Sequence, residues 1–115
     1  MSDRYTQAIE RLSRIPGVRG ALLVDAEAGL PVLTELADEM AAPAVAALAA
    51  SAFRRTDRAL GGAGLGAIET LQLDAAEGHV VVSGGGEVLV AVIVEPDAQL
   101  ERVRVETREV AEALQ

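Results

Sequence analysis

Apolar positions recur along this chain with two different periods, and the changes of period divide it into eight elements. From Asp3 to Ile15 the apolar residues are Tyr5, Ala8, Ile9, Leu12 and Ile15, with Arg4, Glu10, Arg11 and Arg14 between them. That spacing predicts an amphipathic helix. Ser2 or Asp3 can cap its start, and Pro16-Gly17 ends it. The helical period then stops. Ala21 to Val24 is apolar on both faces, which predicts a strand in the middle of a sheet. A polar turn from Asp25 to Gly29 leads to a second apolar run, Leu30 to Thr34. Pro31 lies in that run; it cannot donate to a ladder, so the run belongs at a rim. One hairpin thus predicts both the centre of the sheet and one edge.

From about Asp38 to Leu60 the helical period returns. Val45, Leu48, Ala49, Ala52, Thr56 and Leu60 line one face, the expected core stripe. Alanine crowds this helix and also falls away from that stripe, at Ala46 and Ala50. A small apolar outer face would let another backbone approach closely, although alanine is also simply the best helix former. Arg54, Arg55 and Arg58 close the helix, where the ordinary role of basic residues is to complement the C-terminal dipole. Gly61-Gly62-Ala63-Gly64-Leu65-Gly66 follows. Gly62, Gly64 and Ala67 match a dinucleotide-binding spacing, but that motif needs a strand before it and a helix after it. The order here is the reverse, so a helix stop and a connection are expected.

Three strands are predicted next: Ala67 to Leu73, His79 to Ser83, and Val88 to Val94. Their short connections make an antiparallel meander. The last is wholly apolar and belongs beside Ala21 to Val24. The expected order across the sheet is strand two, one, five, four, three. A final helix from about Asp97 to Leu114, capped by Asp97, carries Leu100, Val103, Thr107, Val110 and Leu114 on one face. No linker, repeat or tail interrupts the pattern, so a single domain over residues 1–115 is expected.

Charge and composition remove several classes of function. The 115 residues carry a net charge of −8, which argues against nucleic acid and anionic membranes as partners. The longest apolar run, Val88 to Val94, is too short to span a bilayer, and no basic-plus-apolar leader opens the chain. A cytoplasmic protein is expected. Ten basic residues are all arginine, which we read as a base-composition bias. The chain has no cysteine and a single histidine, His79, so thiolate and histidine metal sites are not expected, nor is a cofactor. Ser83 shares a strand with His79, but four residues of extended chain separate them by roughly 13 Å, too far for a nucleophile and its base. No catalytic set emerges.

The two edges of the predicted sheet differ. Pro31 blocks strand addition at one. The other, Ala67 to Leu73, has no proline and only Glu69 as a charge. An open apolar edge needs a partner, and self-pairing about a two-fold axis is the simplest closed solution. A homodimer is therefore expected, with Ile68, Glu69, Thr70, Leu71, Gln72 and Leu73 at its interface.

The ordered set of segments resembles the roadblock/LC7 domain family. The residues that carry the resemblance are Ile15-Pro16-Gly17-Val18-Arg19-Gly20-Ala21-Leu22-Leu23-Val24-Asp25, Gly29-Leu30-Pro31-Val32, and Val45-Ala46-Ala47-Leu48-Ala49-Ala50. Leu60-Gly61, Gly78-His79-Val80-Val81-Val82, Leu89-Val90-Ala91-Val92-Ile93 and Val103-Arg104-Val105-Glu106-Thr107-Arg108 complete it. The resemblance implies an α+β fold of profilin-like type, an α/β sandwich. Its elements run α-β-β-α-β-β-β-α, with helices on both faces of one five-stranded antiparallel sheet. It implies a homodimer whose sheet continues between subunits, and a non-catalytic platform that binds and regulates a small Ras-like GTPase. Ala46, Ala47, Ala50, Arg54 and Arg58 are the expected partner contacts on the paired second helices. The alternatives are a signalling or motility scaffold that touches no GTPase, and a small-molecule sensory module with a cavity between sheet and helix.

Overall fold

The structure, a computed structural model, describes residues 3–36 and 41–115. Its elements are α1 (Arg4–Ser13), β1 (Val18–Asp25), β2 (Pro31–Leu36), α2 (Ala42–Gly62), β3 (Thr70–Ala75), β4 (Gly78–Gly85), β5 (Val88–Val94) and α3 (Leu100–Leu114). The strands form one antiparallel sheet in the order β2-β1-β5-β4-β3. Every residue of β5 is buried, as its unbroken apolar run requires. Pro31 opens the edge strand β2, where the register with β1 shifts between Leu23 and Val24. The proline thus sits at an irregularity on the rim, where its missing donor is tolerated.

Side-chain alternation divides the core into two layers. Ala21, Leu23, Val81, Val88, Val90, Val92 and Val94 pack with α1 and α3, which supply Ile9, Leu12, Val103, Val110 and Leu114. Leu22, Val24, Val82, Leu89, Ala91 and Ile93 pack with α2. Helices therefore cover both faces.

The element bounds move in places. The strand expected at Ala67 to Leu73 begins at Thr70 and runs to Ala75, so Ile68 and Glu69 lead into it. The Asp3 side chain caps α1 by accepting the Thr6 N–H at 2.9 Å, and that bond holds its carboxyl below the usual range. Ser2, the other candidate, lies outside the described residues. The final helix starts at Leu100, with Gln99 at the cap and no side-chain cap bond, so Asp97 does not cap it. Residues 38–40 of the expected second helix also lie outside the described residues.

The main correction concerns the rotation of α2. Its buried residues are Ala46, Ala49, Ala50 and Phe53. Ala46 and Ala50, expected on an outer face, are 0% and 1% exposed against the sheet. Leu48, expected in the core, is 51% exposed. The physical reason is close approach. Small residues let α2 rest directly on the sheet and on the β1–β2 turn. A β-carbon at Gly29 would meet Ala50 Cβ at 3.4 Å and Ala47 Cα at 3.8 Å. The alanines serve this chain's own packing first.

Candidate interaction surface

β3 is an edge strand with two unlike faces. Leu71 and Leu73 pair with Val82 and Val80, on the side of α2. Thr70, Gln72 and Asp74 pair with Ser83, Val81 and His79, on the side of α3.

The polar side carries a network within the chain. Thr70 Oγ1 and the buried Ser83 Oγ lie 3.1 Å apart. Arg104 donates to Gln72 Oε1 at 2.9 Å, and Gln72 Nε2 donates to Asp74 Oδ1 at 2.8 Å. His79 Nδ1 stands 2.7 Å from Asp74 Oδ1, and its Nε2 stands 3.2 Å from the Pro96 carbonyl. Both ring nitrogens therefore face acceptors. Only the protonated imidazole satisfies both, so the Asp74 carboxylate, and after it the Pro96 carbonyl, raise the His79 pKa. The Gln72 amide, and after it His79, hold the Asp74 carboxyl below its ordinary value. The Ser83 hydroxyl is engaged with Thr70, and the His79–Asp74 pair ties strand to loop.

The apolar side is not fully roofed. α2 rests mainly on β1, β2 and β5. Leu71, Val80 and Ile68 at the other end of this face are only partly buried, and so is Leu73. α2 itself has more apolar surface than its sheet contact uses. Successive residues turn by about 100°. The sheet-facing row is Ala46, Ala49, Ala50 and Phe53; beside it lies a second row of Val45, Ala52 and Thr56, partly buried, with exposed Leu48. This second row is most of the stripe that the sequence pattern assigned to the core.

The opposite flank of α2 carries positions 47, 54 and 58. Ala47 and Arg58 are exposed, and among the described residues Arg55 and Arg58 form no ion pair. Arg54 is exposed but engaged: its guanidinium donates to the carbonyls of Ala26 and Glu27 at 3.0 and 3.1 Å, holding α2 to the β1–β2 turn. Leu30, 60% exposed, follows Gly29 on that turn and extends the flank. Leu30 is a member of this surface that the sequence pattern did not single out.

The glycine-rich connector leaves the C-terminal end of α2. Gly64 and Gly66 have φ of +78° and +89°, and a β-carbon at either would meet nothing within 4 Å. The glycines turn the chain; Asp57 Oδ1 accepts the Ile68 N–H at 3.0 Å and fixes where the chain enters β3. Among the described residues no group of three His, Asp or Glu side chains could hold a metal ion. Among them, too, no helix is long and apolar enough to cross a membrane. Two clefts, of about 500 Å³ and 710 Å³, border α3 and open to solvent.

Comparisons place this arrangement among known proteins. The family model for the Roadblock/LC7 domain matches residues 5–95. A Roadblock/LC7 domain structure from Streptomyces avermitilis superposes with a TM-score of 0.82 at 20% identity, covering 94% of this chain and 92% of that one. The structure of gliding protein mglB from Thermus thermophilus superposes at 0.84 with 22% identity, covering 96% and 85%. An uncharacterized protein of Methanocaldococcus jannaschii is 24% identical over 103 residues, 90% of each chain.

Proposed function

The chain belongs to the Roadblock/LC7 domain family, and from that premise we propose that it is a non-catalytic regulatory scaffold that works as a homodimer and binds a small Ras-like GTPase. One observation carries the reading: α2 presents two apolar rows, and its own sheet buries only one of them fully. The second row, Val45, Leu48, Ala52 and Thr56, is exposed at Leu48 and only partly buried elsewhere, with Val45 touching the core at its margin, and it adjoins the sheet face where Leu71, Leu73 and Val80 are incompletely covered. A second copy supplies the missing roof. Its α2 would pack on this row while its β3 extends the sheet. The polar side of β3, already engaged with α3, would meet the same polar side of the second copy.

Packing of the second copy on that row leaves the opposite flank free. Ala47, Arg58, Leu30 and the Arg54 stem form the surface assigned to the GTPase. Ala46 and Ala50 leave the set because they are buried. The GTPase rests on the family, whose bacterial members include partners of such enzymes. Two experiments test the two halves. Leu48→Asp should convert a dimer into a folded monomer. Immobilised protein should retain a small GTPase from its own cells in a nucleotide-dependent way, and Arg58→Glu should abolish that retention without changing the dimer. Equal recovery with GTP and GDP analogues, or none with either, contradicts the GTPase assignment and leaves a scaffold without it.

A further inference from the structure

We propose that two copies of this chain pair along β3 in one register, with Gln72 on the two-fold axis and each Leu71 opposite Leu73 of the second copy. This rests on the homodimer reading above and adds which residues meet.

In an antiparallel pair, directly opposite residues point to the same face. A two-fold axis perpendicular to a continuous sheet carries each face onto itself. Opposite residues must then belong to the same alternation class, so the axis passes through a residue and never between two. Within Thr70–Ala75 the axes with good overlap are Leu71, Gln72 and Leu73.

An axis at Leu71 sets Leu73 opposite Glu69 of the second copy. That draws a carboxylate toward the apolar side and away from Arg108, its partner at 3.2 Å. An axis at Leu73 sets Glu69 opposite Glu77 of the second copy, a like-charge pair. An axis at Gln72 does neither. It places leucine against leucine twice on the α2 side, joining the two incompletely covered patches. On the α3 side it places Thr70 opposite Asp74 of the second copy. The Asp74 side chain is 61% exposed and has acceptor capacity beyond Gln72 and His79. Thr70 and Ser83 hold two hydroxyl protons between them and use one in their mutual bond. With Ser83 donating to Thr70, the Thr70 hydroxyl donates outward to that carboxylate.

The chain has no cysteine, so introduced thiols report without background. Leu71→Cys, Gln72→Cys and Leu73→Cys are made singly in the full chain, oxidised at micromolar concentration and read on non-reducing gels. Gln72→Cys should link at least about tenfold faster than either leucine variant alone, because opposite Cα atoms lie within about 5.5 Å and a disulfide cannot bridge beyond about 7 Å. A mixture of Leu71→Cys and Leu73→Cys should form the link that neither forms with itself. Faster linking by a single leucine variant, or no link in the mixture while light scattering reads a dimer, overturns the register. A wild-type chain that scatters as a monomer overturns the homodimer reading and the register with it.

Discussion

Thr107 is fully buried on α3, and its hydroxyl has no hydrogen-bond partner among the described residues. A buried hydroxyl without a partner loses its water and gains nothing in return. Thr107→Val keeps the shape and removes the orphan, so thermal unfolding should show no loss and a gain of up to about 1 kcal/mol. A clear loss would mean that the hydroxyl is bonded in solution. His79 gives a pH signature. Its folded pKa is raised, so its contribution to stability is complete below the ordinary histidine value and is lost as pH rises through the raised one. Asp74 has the opposite sign: its pKa is lowered, and its contribution is lost as pH falls through that lowered value. The pair is strongest between the two. Proton NMR should find His79 titrating above 6.5, and Asp74→Asn should bring the midpoint down. An unchanged midpoint in Asp74→Asn would show that the contact does not form.

At the scale of elements, β5 and α3 were legible and the rotation of α2 was not. β5 is apolar at every position and buried at every position, with Val88–Val94 as its bounds in pattern and structure alike. On α3 the expected stripe includes Val103, Thr107, Val110 and Leu114, and all four are buried. α2 differs because apolar residues occupy well over half its circumference. Pattern reading then follows Val45 and Leu48, whereas the sheet takes the row in which three alanines, Ala46, Ala49 and Ala50, allow close approach and Phe53 packs over Gly84. The edge strand was displaced for a related reason. Ile68 fits a strand pattern, but its N–H is taken by Asp57 of α2, and pairing with β4 begins only at Thr70. The buried row and the exposed flank of α2 predict unequal responses to mutation. Ala50→Leu forces three carbons into a packed contact and should cost about 1–3 kcal/mol in denaturant unfolding. Ala47→Leu, on the exposed flank, should cost less than about 0.5 kcal/mol. Equal costs would contradict the rotation described here.

At the scale of the molecule, the two sheet edges set the direction of association. β2 closes its edge with Pro31 and a register shift; β3 has neither and carries the incompletely covered Leu71 and Leu73. That difference was readable from the sequence, since it depends on one proline and on one strand without one. The apolar row that would complete the interface was not, because a row led by Val45 and Leu48 has the same pattern as a core stripe. The most direct test of the proposed homodimer is the mass of the wild-type chain in solution, by multi-angle light scattering at micromolar concentration. A homodimer predicts twice the chain mass of 11.9 kDa, about 24 kDa. A single species near 11.9 kDa would contradict it.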